Sequence, residues 1–146
     1  MSPLPTTPWV TYDYAVLRAV PRVHLGAYLN VGVVLHARTA RYLGLHYALD
    51  EARLRQLDAE LDLELLRRCL DSYAHVSEGG AGHPVSIYPP SERFHWLTAP
   101  RSSILQPSNV HGGRTQDPAA TLAALFTSYV GATPSGPLPD GLQAGS

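Results

Sequence analysis

Leu29 to Ala37 is the stretch that most restricts how this chain can fold, because Leu-Asn-Val-Gly-Val-Val-Leu-His-Ala is nearly continuous in Val and Leu. β-Branched side chains lose rotamer freedom in a helix and pack well on a pleated surface. A short apolar run without alternation predicts a central strand, buried on both faces. Only Arg38, Thr39 and Ala40 separate it from Arg41–Leu49, where Tyr42, Leu43, Leu45 and Tyr47 mark another strand. So short a connection makes the two an antiparallel hairpin. Upstream, Val10 to Val20 alternates, with Val10, Tyr12, Tyr14, Val16, Arg18 and Val20 on one side, until Pro21 stops it.

After Leu49 the period changes. Asp50 is a natural N-cap for a short helix carrying Leu54, Leu57 and Leu61, and Asp62 caps a second carrying Leu66, Leu70, Tyr73 and Ala74. Glu78, Gly79, Gly80, Ala81 and Gly82 end that helix, and a loop leads to Pro89 and Pro90. Ser91 can cap a short helix through Leu97, and Ser102 to Gln106 suits one more short strand. The last helix is the most fully signalled: Asp117 as N-cap, Pro118 at its first position, Leu122, Leu125, Phe126 and Tyr129 on one stripe, and Gly131 beyond its end. Hairpin spacing followed by helices, rather than β-α alternation, predicts an α+β fold. We expect a mainly antiparallel sheet of about four strands with three to four helices packed on it.

A chain of 146 residues fits a single core. Residues 1–8 and 131–146 concentrate Pro, Gly, Ser and Thr without periodicity, so disordered tails are expected around one domain spanning 9–130. The N-terminal stretch lacks the basic start and apolar run of a signal peptide, and no segment approaches the ~20 apolar residues of a membrane span. A soluble, cytoplasmic protein that does not engage membranes is the expectation.

Several chemistries fall away on composition. All 11 basic residues other than histidine are arginine, so Schiff-base chemistry and a phosphate-loop lysine are excluded. Cys69 is the single cysteine, which rules out an internal disulfide and a cysteine-rich zinc cluster. A net charge of -1 predicts no general attraction to nucleic-acid backbones, so any such role needs a local patch. The seven histidines show neither zincin spacing nor a nearby cysteine pair, and no metal or other cofactor is expected. His36 and His46, on opposite strands of the hairpin, are the one pair placed to face each other. Ser102, Ser103 and His111 lie close in sequence, but no Gly-x-Ser-x-Gly elbow surrounds either serine. Asp58, Glu60, Asp62 and Glu64 fall at capping or helix-surface positions and read as structural.

What remains is a polar block from Ser91 to Arg114. It holds Arg93, Arg101 and Arg114, Ser102, Gln106, Asn109, His111, Trp96 and the pair Gly112-Gly113, which suits a turn. Such groups can hold an anion or a nucleotide base by bidentate contact and stacking. The alternative is that Phe94 and Trp96 are core and the arginines satisfy helix ends. Asp117, as N-cap of the last helix, would oppose an anion there.

Tyr12 to Pro21, the stretch Asn30-Val31-Gly32-Val33, and Arg93-Phe94 leading into Leu97-Thr98-Ala99-Pro100-Arg101-Ser102-Ser103, with Gln106-Pro107-Ser108 and His111, resemble the bacterial family catalogued as domain of unknown function 3037. The resemblance covers Tyr12 to Val130. It implies a short stand-alone protein of no established activity, associated with genes for kinases resembling the serine kinases of toxin-antitoxin modules, and hence a partner role. An acidic residue is expected before the Asn-Val-Gly-Val stretch, but Gly26, Ala27, Tyr28 and Leu29 stand there, which argues against a carboxylate-dependent mechanism at that position.

The leading expectation is therefore a non-catalytic binding or accessory module for a protein partner, such as a kinase of that type. The alternative is a nucleotide or nucleic-acid phosphate-binding protein, extending to phosphoester processing. Its candidate site comprises Arg18, Asn30, Arg93, Arg101, Ser102, Gln106, His111 and Arg114. Arg18 is included because a charge within an apolar strand is costly unless paired or liganded.

Overall fold

The computed structural model describes residues 7–21 and 26–131. The tails expected at 1–8 and 131–146 lie outside these apart from Thr7, Pro8 and Gly131, as does His24. Five strands and four α-helices follow in the order β1 (Val10–Ala19), β2 (Leu29–Ala37), β3 (Tyr42–Tyr47), α1 (Glu51–Leu57), α2 (Leu63–Glu78), α3 (Pro90–Leu97), β4 (Leu105–Pro107), β5 (His111–Thr115) and α4 (Pro118–Tyr129). A 3-10 turn, Pro84–Ile87, lies in the α2–α3 connection. The fold is α+β, as expected.

All pairings are antiparallel, and the sheet runs β3-β2-β1 with β4 and β5 end to end along the far edge of β1. β2 is central, and every residue from Val31 to Ala37 is buried. Its register against β1 slips: Leu17 faces Gly32 but Arg18 faces Asn30, leaving Val31 as the extra residue of a bulge. The slip inverts the alternation. Val31 joins Val34 on one face, whereas Val33 and Leu35 pack on the other.

Each face has its own core. On one, α1, α2 and α3 bury Leu54, Leu66, Leu70, Phe94 and Leu97 against Ala15, Leu17 and Val34. On the other, α4 sets Leu122 and Phe126 against Val33 and Leu35. The signals for α4 are realised in full: Asp117 Oδ1 accepts from the Ala120 amide, Pro118 opens the helix, and Gly131 follows it at φ 75°. Asp50 and Asp62 cap α1 and α2 in the same way.

Four local expectations change. Ser91 is not the cap of α3, because Pro89 occupies that position and the helix opens at Pro90. Gly112 and Gly113 make no turn but lie within β5, paired with Asp13 and Tyr12. The short strand expected at 102–106 is displaced to Leu105–Pro107. His36 and His46 do not face each other: His46 is registered with Val33 and meets Phe126 of α4, whereas His36 stacks on Phe94 of α3.

Candidate functional site

Arg18 is brought opposite two other candidate residues by strand register alone. It pairs with Asn30 on β2 and with Gln106 on β4, so the three form a row across the sheet on the α4 face. The bulge at Val31 turns Asn30 toward this face, where its Nδ2 donates to the Tyr129 carbonyl oxygen at 3.1 Å. α4 lies chiefly over β2 and β3 and reaches β1 through Tyr129, which meets Tyr14.

The Arg18 guanidinium carbon sits 4.4 Å from the centre of the Tyr28 ring, and its Nε is buried without a hydrogen-bond acceptor among the described residues. Stacking covers one guanidinium face and leaves its in-plane donors for another group. Arg18, Gln106, Tyr28, Gly26, Val20 and Pro107 border a depression of about 160 Å³. Further along the face, Tyr14 Oη and Tyr129 Oη lie 3.0 Å apart, and the Tyr14 ring packs on His111, its partner on β5, at 5.5 Å. The hydrogen bond to Tyr129 first, then burial and the nearby Tyr129 charge, push the Tyr14 phenol up to about 12.

The other candidates lie elsewhere. Arg93 is buried and closes the end of α2: its Nη1 donates to the carbonyl oxygens of Val76 and Ser77 at 2.7 and 2.9 Å, and its Nε to that of Tyr88 at 2.8 Å. Arg101 lies over Trp96 and donates from Nε to the Trp96 carbonyl oxygen at 3.0 Å. Ser102 Oγ accepts from the amides of Ile104 and Leu105, shaping the entry to β4. Arg114 is registered with Thr11 and lies over Trp9 on the opposite face from Arg18. Within the polar block, Arg93, Arg101 and Ser102 thus serve helix ends and turns and Arg114 lies on the other face, whereas Gln106 joins the Arg18 row and His111 stands further along that face beside Tyr14. Tyr28 and Tyr129 were not among the candidates; Tyr28 carried a usable signal as an aromatic residue immediately before the central strand.

Residues 14–130 match the family described as protein of unknown function (DUF3037). The chain belongs to that family. No curated protein and no solved structure matches it. Asn30, Arg18 and Gln106 all fall within the DUF3037 region, as do Tyr14 and Tyr129.

Proposed function

We propose that this DUF3037 protein is a binding module that receives one anionic group, a carboxylate or a phosphate, at Arg18, and that the group is presented by a larger protein partner. The supporting observation is the buried Nε of Arg18, which has no partner among the described residues. Leaving such a donor unsatisfied costs about 1–3 kcal/mol, more for a charged group, and an oxyanion accepting from it removes that cost. The Gln106 amide stands beside it in the row. The depression, about 160 Å³, is small against the roughly 300–1,000 Å³ of pockets that enclose small molecules. Tyr28 at its rim is 48% exposed, which suits a protruding side chain more than an enclosed ligand. A phosphorylated or acidic segment of a kinase-like protein, the partner class the family resemblance suggests, would carry such a group.

The test follows the Arg18 Nε–H resonance by NMR while acetate, inorganic phosphate and acidic or phosphorylated peptides are added. A saturable shift that disappears in Arg18→Gln supports the site, with peptides binding more tightly than free ions. An Arg18 resonance unmoved by any of them would sink the proposal.

A further inference from the structure

At the other end of β2, on the opposite sheet face, a second group of residues converges. The β2–β3 hairpin closes with the Arg41 amide donating to the Arg38 carbonyl oxygen at 3.0 Å. Arg41 sits there at φ 53°, a conformation that glycine or asparagine adopts with less strain. The turn therefore holds two guanidinium groups at one corner. Between this corner and the start of α3 lies a depression of about 280 Å³, lined by His36, Arg38, Arg41, Pro90 and Ser91.

α3 points its N-terminus into the same place. Pro89 offers no side-chain cap, and the first intrahelical bond is that from the Arg93 amide to the Pro89 carbonyl oxygen at 3.0 Å. The amides of Ser91 and Glu92 precede it and are donors the helix cannot satisfy itself. His36 gives an independent indication of a ligand. It is only 7% exposed, its ring face is covered by Phe94 at 5.4 Å, it lines the depression, and among the described residues none hydrogen-bonds its imidazole. An imidazole with no protein partner keeps its ring nitrogens for a group held in the depression.

We propose that this depression binds a phosphate dianion, either free or carried by a phosphomonoester. Arg38 and Arg41 supply positive charge, the Ser91 and Glu92 amides supply the helix N-terminus, and His36 forms the inner wall. Two guanidinium groups beside uncapped amides suit a tetrahedral dianion better than a carboxylate. Two carboxylates oppose it: Asp13, directly across from His36 on β1, and Glu92 in the first turn of α3. Arg38, Arg41 and Arg93 outnumber them. This inference does not rest on the Arg18 reading, since the two places occupy opposite faces of the sheet.

Amide NMR of the full chain, titrated with inorganic phosphate and with phenyl phosphate, tests it. The Ser91 and Glu92 amides should shift saturably at millimolar ligand, and Arg38→Gln or Arg41→Gly should each weaken binding about tenfold, the loss expected for one charge-assisted contact. Arg41→Gly suits the turn's left-handed backbone, so it removes the charge without endangering the fold. Tighter binding of phenyl phosphate identifies an organic phosphomonoester as ligand, whereas equal affinities identify free phosphate; both support the site. Arg18→Gln should leave the Ser91 and Glu92 shifts intact. The proposal is overturned if those amides do not move, if both arginine variants bind as the parent does, or if Arg18→Gln abolishes the effect.

Discussion

Ser108 gives Val16 both halves of a strand pairing, one from its backbone and one from its side chain. The Ser108 amide donates to the Val16 carbonyl oxygen at 2.8 Å, and the Val16 amide donates to Ser108 Oγ, also at 2.8 Å. β4 and β5 would otherwise be separate fragments, and this contact joins them into one interrupted edge along β1.

Ser108→Ala is therefore expected to destabilise the protein by about 1–3 kcal/mol, because it strands the buried Val16 amide. Urea denaturation measures this directly. Ser108→Thr keeps the hydroxyl and should recover much of the loss.

Arg93 carries a different kind of structural load. Its three hydrogen bonds to Val76, Ser77 and Tyr88 tie the end of α2 to the α3 layer, and burial lowers its affinity for the proton. Arg93→Ala should cost about 3 kcal/mol, since buried carbonyls lose a charged donor. Arg93→Lys should restore little of it, because one ammonium cannot span the positions reached by a planar fork. Denaturation midpoints of the two variants should fall close together.

The helices and the three long strands were readable because each rests on local signals: apolar period, aspartate caps, and a hairpin connection too short for anything else. β5 was hidden because His111-Gly112-Gly113-Arg114-Thr115 has no apolar alternation and a glycine pair that mimics a turn. An edge strand needs mainly its backbone, and the Tyr12 side chain comes so close to Gly113 that a Cβ there would be crowded. The Arg18 row was half legible. The cost of a charge within a strand flagged Arg18, but only the Val31 bulge and the pairing of β4 place Asn30 and Gln106 beside it. Arg93, Arg101 and Ser102 look in sequence like ligand-binding groups, and the fold uses them to satisfy backbone atoms.

Tyr14 should titrate late. Its phenol, held at about 12 chiefly by the hydrogen bond with Tyr129, is still protonated in the fold at pH values where the unfolded chain, near 10.0, has lost the proton. A group raised in this way contributes stability that is present below pH 10 and is lost as pH rises toward about 12. Absorbance titration of the phenolates should lose its last step in Tyr14→Phe. In Tyr129→Phe, Tyr14 should move back toward the ordinary tyrosine range.

Acid should destabilise the fold through the hairpin histidines before most carboxylates titrate. Burial lowers the His46 imidazole from the usual 6.5, and burial likewise lowers His36 despite the opposing pull of Asp13. For a lowered histidine the unfolded chain takes up the proton first, so stability is complete above pH 6.5 and declines as pH falls through the folded-state value. His46→Phe isolates one of the two contributions, because a phenyl ring can keep the edge-on contact with Phe126, seen at 5.9 Å, while removing the proton site. At pH 8 the variant should match the parent within about 1.5 kcal/mol, as volume-conserving ring exchanges usually do. Between pH 6.5 and 5 the parent's denaturation midpoint should fall more steeply than the variant's. Parallel curves over that interval would show that the fold accommodates a charged His46 without loss.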